Sequence, residues 1–396
     1  MKKLLLIGMF VIFLYPLVIV SQGIAAAAEP IKIGYLAPYV GVYAKNGKDL
    51  TDGFKLYLDE IGYKVAGREI VLITEDDEMK PEVGTTKARK LVEKDRVHML
   101  AGIIHSGVAY AIKDYVNNNK MPLILTNAGA AKLTAQDKSP YIFRVSFVNG
   151  QQDLAGGWYA YAKLGIRKVL MMFPDYSAGH EKADGFKRGF KAMGGEIVAE
   201  IFPPLGTTDY GPYLAKVVDY AGKVDRVWMF FSGSDAVRSI VQYSEYGLKD
   251  KIKLFVIGDT VDETFISSQK DAALGVESYL HYTPTLDTPE NKRFVKAYTD
   301  KYRNEPGQFS EQAYIGAKAI VKALEAIKGK VEDRDAFMKA LRDVKFEAPQ
   351  GPFRFDNNQN VVQNVYIRRV EKKGEKYVNT VFDMVPDVDQ FWTPKK

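Results

Sequence analysis

The chain carries four histidines, His98, His105, His180 and His281, and no cysteine. General acid–base catalysis or metal binding would have to be built from these histidines and from carboxylates, each with a second partner at a fixed spacing. His98 sits inside an apolar run, where a structural residue is expected. His180–Glu181 has the side chains of an acid–base or metal pair, but it reads equally as the charged start of a helix. Asp76–Asp77 closes an apolar run and reads as a solvated turn. Gly47–Lys48 is followed by Asp49, where a phosphate loop requires Ser or Thr. No G-x-S-x-G elbow, H-E-x-x-H pair or G-x-G-x-x-G fingerprint is present. Nothing places a nucleophile beside a base, so neither an enzyme nor a bound cofactor or metal is expected. The lack of cysteine also excludes thiolate zinc sites, iron–sulfur clusters and disulfides.

Hydrogen-bonding chemistry collects elsewhere, where apolar runs end. After Ile31–Ala37 comes Pro38–Tyr43, and after Val97–Ala101 comes Gly102–Gly107 with His105 and Ser106. The run Pro122–Leu125 leads into Thr126, Asn127, Ala128, Gly129 and Ala130. Tyr176 follows Lys168–Phe173, Ser232–Gly233–Ser234 follows Arg226–Phe231, and Asp259 follows Lys253–Ile257. Hydroxyls, glycines and tyrosines dominate these ends. Such groups hold a small anion or polar molecule but do not turn it over. Ser106 reads as either a helix cap or a ligand contact. Asp259, a lone carboxylate leaving an apolar strand, reads as a turn cap or as the partner of a cation or several donors.

The elements that position these ends alternate in type. Strands are expected at Ile31–Ala37, Glu69–Glu75, Val97–Ala101, Pro122–Leu125 and Tyr141–Val145, with helices at Lys45–Ile61, Glu82–Glu93 and Ser106–Asn118 between them. A second series follows, with strands at Lys168–Phe173, Glu196–Ile201, Arg226–Phe231 and Lys253–Ile257. Its helices are expected around Asp153–Leu164, Lys182–Met193, Tyr213–Ala221 and Asp235–Tyr246. Strand–helix alternation implies crossover connections and parallel sheets, which bind ligands beyond the carboxyl ends of their strands. Beyond about residue 280 come three helices without strands between them, the first signalled by Thr288–Pro289. They are expected to return to the first sheet, while a hairpin around Phe353–Ile367 joins the second.

Lys2 and Lys3, the apolar run Leu4–Val20 and the small residues Ala25–Ala28 have the order of a cleaved signal peptide over residues 1–28, and no cysteine stands ready for a lipid anchor. Basic residues number 55 and acidic residues 49, interspersed rather than in blocks, so a nucleic-acid surface is not expected.

In order and separation these segments resemble the periplasmic solute-binding proteins of ABC transporters, in the branch of the leucine/isoleucine/valine-binding protein. The segments concerned are IKIGYLAPYVGVYAKNGKDLTDGFKLYLDEI with its Gly41, Ala44 and Gly47 turn, GIIHSGVAYAI, PLILTNAGAAKLT, FRVSFVNGQQ and FPDYSAGHEKADGFKRGFKAMGGEI. The resemblance implies an α/β fold of two Rossmann-like lobes with parallel-rich sheets joined by a three-strand hinge. The lobes would comprise residues 29–146 plus 282–350 and 147–281 plus 351–396. It implies that Ser106 and the Thr126–Ala130 loop hold a ligand carboxylate, that Asp259 receives the ammonium of an amino acid, and that Tyr43 and Tyr176 line the side-chain pocket. His105 and Ser232 complete the expected set. The expected role is that of a monomeric periplasmic binding protein that captures a branched-chain or other amino acid by hinge closure and delivers it to a permease. An aromatic acid is the alternative ligand.

Overall fold

The computed structural model describes residues 29–394, so the signal peptide expected over residues 1–28 lies outside the described residues. The first sheet contains β1 (Ile31–Ala37), β2 (Lys64–Val65), β3 (Arg68–Asp76), β4 (Met99–Gly102), β5 (Leu123–Leu125) and β6 (Ile142–Arg144), in the order β2-β3-β1-β4-β5-β6. Helices α1 (Ala44–Glu60), α2 (Pro81–Arg89) and α3 (Ser106–Asn118) carry the crossovers. All neighbours pair in parallel except β2 with β3. The chain then passes through α4 (Gln151–Ala162) into a second sheet built on β7 (Lys168–Met172), β8 (Glu196–Ile201), β9 (Arg226–Met229), β10 (Leu254–Ile257) and β11 (Glu277–Leu280). Its helices are α5 (Ser177–Ala192), α6 (Gly211–Val218), α7 (Ser234–Glu245) and α8 (Glu263–Gln269).

Helices α9 (Pro289–Tyr302), α10 (Gln308–Ala326) and α11 (Arg334–Arg342) follow without intervening strands. Phe294, Phe309, Ile320 and Leu341 from them share one apolar core with Ile31, Ile33 and Tyr35 of β1, so these helices do return to the first sheet. Their approach is close: a Cβ on Gly53 of α1 would lie 1.9 Å from the Ser310 carbonyl oxygen of α10. Thr288 caps α9 as its sequence suggests, its Oγ1 accepting from the Asn291 amide at 3.1 Å, with Pro289 in the first turn.

The tail is more elaborate than a hairpin. Strands β12 (Lys345–Ala348), β13 (Gly351–Phe355), β14 (Val361–Lys373) and β15 (Lys376–Val388) extend the second sheet to nine strands, with β14 antiparallel to β11 and β15 antiparallel to β14. The chain crosses from the first sheet to the second after β6, returns to the first core after β11, and rejoins the second sheet through β12–β14. In the last crossing Asn360 bridges to Arg144 at the end of β6. Strands β11, β12 and β15 and helix α8 are absent from the sequence-based expectation, and α5 begins five residues before the expected Lys182. Ser177, Ala178 and Gly179 in its first turn are poor helix signals. Their placement is set by packing: a Cβ on Gly179 would lie 2.1 Å from the Pro174 carbonyl oxygen.

The acidic pair at the end of β3 is not a solvated turn. Asp76 Oδ1 accepts from the amides of Tyr39 and Glu78 at 3.1 and 2.8 Å. Asp77 is wholly buried, and its Oδ2 has no partner. Burial pushes the Asp77 carboxyl up from 3.8 to about 6, against the hydrogen bond from the Met79 amide. The folded state therefore holds a proton that the unfolded chain has already released between pH 4 and 6, so stability falls as pH rises through that window. Above it the loss amounts to about 3 kcal/mol. Asp77→Asn is expected to raise the thermal midpoint at pH 7 and to leave it little changed at pH 4. A midpoint lowered at both pH values in a calorimetric scan would contradict this.

Candidate functional site

The strand ends of the two sheets meet across the cleft. Tyr43 lies beyond β1, Ser106 beyond β4, and Asn127 and Gly129 beyond β5. From the second lobe come Tyr176 and Lys182 beyond β7, Phe230 and Ser232 beyond β9, and Asp259 beyond β10. With Ile104, Phe147, Asn149, Ala178 and Phe309 they line a narrow cavity with room for only about 20 Å³. That is far below the roughly 300–1,000 Å³ usual for small-molecule sites, so a ligand enters only if the walls move apart. The lobes touch over it, the Tyr43 and Tyr176 hydroxyls lying 3.0 Å apart.

Seven of the ten residues singled out in the sequence line this cavity: Tyr43, Ser106, Asn127, Gly129, Tyr176, Ser232 and Asp259. His105 stands behind the wall, its ring stacked on Tyr176 at 5.6 Å, and burial pushes its imidazole down, which favours the neutral form. Thr126 and Ala128 turn the other way. Thr126 Oγ1 pairs with the Tyr35 hydroxyl at 3.3 Å inside the first lobe, and the Ala128 side chain packs with Leu125 and Leu133. In extended chain successive side chains point to opposite faces, so only alternate residues of the stretch can face the cleft. Ser106 is the first residue of α3, yet its hydroxyl caps nothing. It accepts a hydrogen bond from Asn149 Nδ2 at 3.2 Å. Capping at the other end of the cleft falls to Asp262, whose Oδ1 accepts from the Thr264 amide at 3.0 Å, leaving Asp259 Oδ2 buried and without a partner. Ser232 Oγ is likewise buried and unpaired.

Gly129 leaves the room on which the cavity depends. A Cβ there would lie 2.2 Å from Asn149 Oδ1 and 2.8 Å from the Phe147 ring. The surrounding loop is held from behind by Arg144, a buried guanidinium that donates to the carbonyls of Ala128 and Ala130 at 2.9 and 2.7 Å, and to Thr134 Oγ1 and Asn360 Oδ1 at 2.9 and 2.6 Å. Glu181 does not act with His180, which is exposed and 2.7 Å from Asp175 Oδ1. Glu181 instead accepts from the Tyr110 hydroxyl of α3, from the Ala131 amide at 3.3 Å and from Asn149 Nδ2 at 2.7 Å.

Sequence reasoning did not find Phe147, Asn149, Lys182, Phe230 or Phe309. One signal was available: Ala178 and Lys182 are four apart and so share a helix face. It was hidden because α5 was expected to begin at Lys182. Asn127, in turn, leads away from the cavity. Its Nδ2 donates to Gln312 Oε1 at 2.8 Å, and Gln312 Nε2 lies 3.1 Å from His281 Nε2 in the second crossing. Burial pushes the Asp259 carboxyl up toward its neutral form, and the positive charge of Lys182 pulls it back.

A family model described as periplasmic binding protein matches residues 30–375. An ABC transporter substrate-binding protein from Sphaerobacter thermophilus is 43% identical, with a TM-score of 0.86, over 91% of this chain and 99% of its own. A solute-binding protein of an ABC transporter from R. palustris, solved in complex with benzoate, is 34% identical with a TM-score of 0.84, over 90% of this chain and 98% of its own. Leu/Ile/Val-binding protein homolog 6 of Brucella melitensis is 31% identical over 89% of this chain and 90% of its own length.

Proposed function

The chain belongs to the periplasmic binding protein family, the substrate-binding proteins of ABC transporters, and on that premise we propose that it captures a small aromatic carboxylic acid between its lobes and presents it to a permease. The observation that carries this reading is the wall of the cavity. Tyr43, Phe147, Tyr176, Phe230 and Phe309 bring five rings to a wall whose remaining groups include Ser106, Asn127, Asn149, Lys182, Ser232 and Asp259, which suits a flat aromatic ring carrying polar substituents. Ser106, Asn127 and the space over Gly129 are the first-lobe groups that would meet the carboxylate. Ser232 and Asp259, both with an unpaired oxygen, would meet ring hydroxyls from the second lobe. The benzoate complex of the 34% identical relative supports the same class of ligand.

In this reading the ligand binds the first lobe in the open form, and contacts made with both lobes at once favour closure, because only differential affinity shifts the population. Residues 29–146 plus 282–350 would form the first moving body and residues 147–281 plus 351–396 the second, working as a monomer in the periplasm.

An amino acid is the second reading, and the unpaired Asp259 Oδ2 favours it as a receptor for an ammonium. Titration calorimetry with benzoate, 4-hydroxybenzoate and leucine on the wild type and on Asp259→Asn separates the two. An aromatic acid is expected to bind both proteins with affinities within about tenfold, because a neutral amide can still meet a ring hydroxyl. Leucine binding that is lost in Asp259→Asn would replace this reading with the amino-acid one.

A further inference from the structure

Lys182 is a charged side chain in a place where charge is costly. It is only 3% exposed, on the cleft face of α5, and its Nζ lies 4.2 Å from the centroid of the Phe147 ring and 5.0 Å from that of Phe230. The two ring faces attract the ammonium but accept no conventional hydrogen bond, so they only partly replace its lost water. Among the described residues no carboxylate forms an ion pair with it. Asp153 and Asp259 both feel its charge; both Asp153 oxygens are occupied, by the Tyr279 hydroxyl at 2.9 Å and the Gly150 amide at 3.0 Å, whereas Asp259 Oδ2, in the same cavity wall, has no partner. Lys182 therefore brings a desolvated positive charge and unspent donors to the wall of the cavity. Phe147 locates it further: the same ring that Nζ lies over abuts the space above Gly129.

Resting on the reading of the cleft as a carboxylate-capturing site, we infer that Lys182 is the residue that makes an anionic group obligatory in the ligand. The first lobe offers the carboxylate only neutral groups at Ser106 and Asn127. The second lobe brings the charge. A carboxylate seated over Gly129 would then be held from both lobes, so closure is coupled to the ligand's anionic end rather than to its ring. A neutral isostere of the same shape would satisfy the first lobe and leave the ammonium with only the Asp259 carboxyl, which burial pushes toward its neutral form.

The test compares benzoate with benzamide by calorimetry on the wild type and on Lys182→Met. Wild type is expected to bind benzoate at least about 100-fold more tightly than benzamide, the scale of an unpaired buried charge. Lys182→Met is expected to lose that preference while its thermal midpoint stays level or rises, because a buried cation has been replaced by an apolar chain of similar length. A wild type that binds the two equally would overturn the role of Lys182 even if the variant proved unfolded. So would a folded variant that keeps the preference. Wild type that binds neither but takes leucine would sink the aromatic reading alone. The leucine affinity of Lys182→Met would then decide the inference in the same way, loss supporting it and retention overturning it.

Discussion

Arg144→Met is expected to lower the thermal midpoint of the ligand-free protein and to weaken ligand binding in the same variant. Arg144 is wholly buried and stands at the end of β6, where the chain leaves the first lobe. Its guanidinium meets four neutral acceptors, two of them carbonyls of the loop that carries Asn127 and Gly129, and one a side chain of the third crossing. Burial pulls it down from 12.5 to about 10, so it remains charged at neutral pH. Methionine would release the guanidinium from a costly environment but leave those acceptors buried and unsatisfied, at about 1–3 kcal/mol each. The second effect wins because four groups lose their donor, and a net loss of about 3–5 kcal/mol is expected. That corresponds to a midpoint about 5 °C lower. With its rear support gone, the loop no longer holds Gly129 open against Phe147 and Asn149, so affinity should fall as well. A scanning calorimetry midpoint equal to wild type, together with an unchanged Kd, would show that the loop holds its own shape.

Glu181→Ala is expected to weaken ligand binding at least about 100-fold while leaving each lobe folded. Glu181 lies on α5 of the second lobe, and two of its three donors, the Tyr110 hydroxyl and the Ala131 amide, belong to the first. The third, Asn149 in the first crossing, also donates to Ser106 in the cavity. Burial, and then the hydrogen bond to Glu181, push the Tyr110 hydroxyl well above its usual range, so it stays protonated as a donor. Hydrogen bonds to a charged acceptor contribute about 1.5–3 kcal/mol each, and under the proposed hinge closure the two interlobe bonds would exist only in the closed form. Their loss lowers the closed population and hence the apparent affinity. Small-angle scattering with and without saturating ligand would show the variant expanded at ligand concentrations that compact the wild type. Equal compaction curves would remove Glu181 from the closing mechanism.

Much of this architecture was legible because it repeats local rules. β1, α3 and β8 have the bounds that their apolar runs and flanking residues suggest, and Thr288–Pro289 marks the start of α9. What escaped was decided by distant partners. β11 is four residues long and is defined by pairing with β10 and, antiparallel, with β14, which lies some ninety residues further along the chain. β15 is exposed or half-buried at most positions and is held by antiparallel pairing with β14 along one edge, and its run is interrupted by charges. Asp77 reads as a surface turn in sequence because nothing local reveals that its amide is tied to the Ala37 carbonyl at the end of β1, at 3.3 Å, and its side chain buried there.

The cavity divides along the same line. A parallel sheet places its strand ends on one side, so a sequence that shows where strands stop also shows which residues can meet a ligand. Ser106, Asn127, Gly129 and Asp259 were accessible to that argument. Which side of an extended loop faces the cleft was not, because it depends on register against the rest of the lobe; that is why Thr126 and Ala128 point away. Nor could local pattern show that Lys182, one turn beyond Ala178, would be carried into the cavity and sealed against rings from the first crossing and from β9. A charged residue on a helix ordinarily marks the solvent side. Only the packing of two lobes against each other removes the water that makes it so.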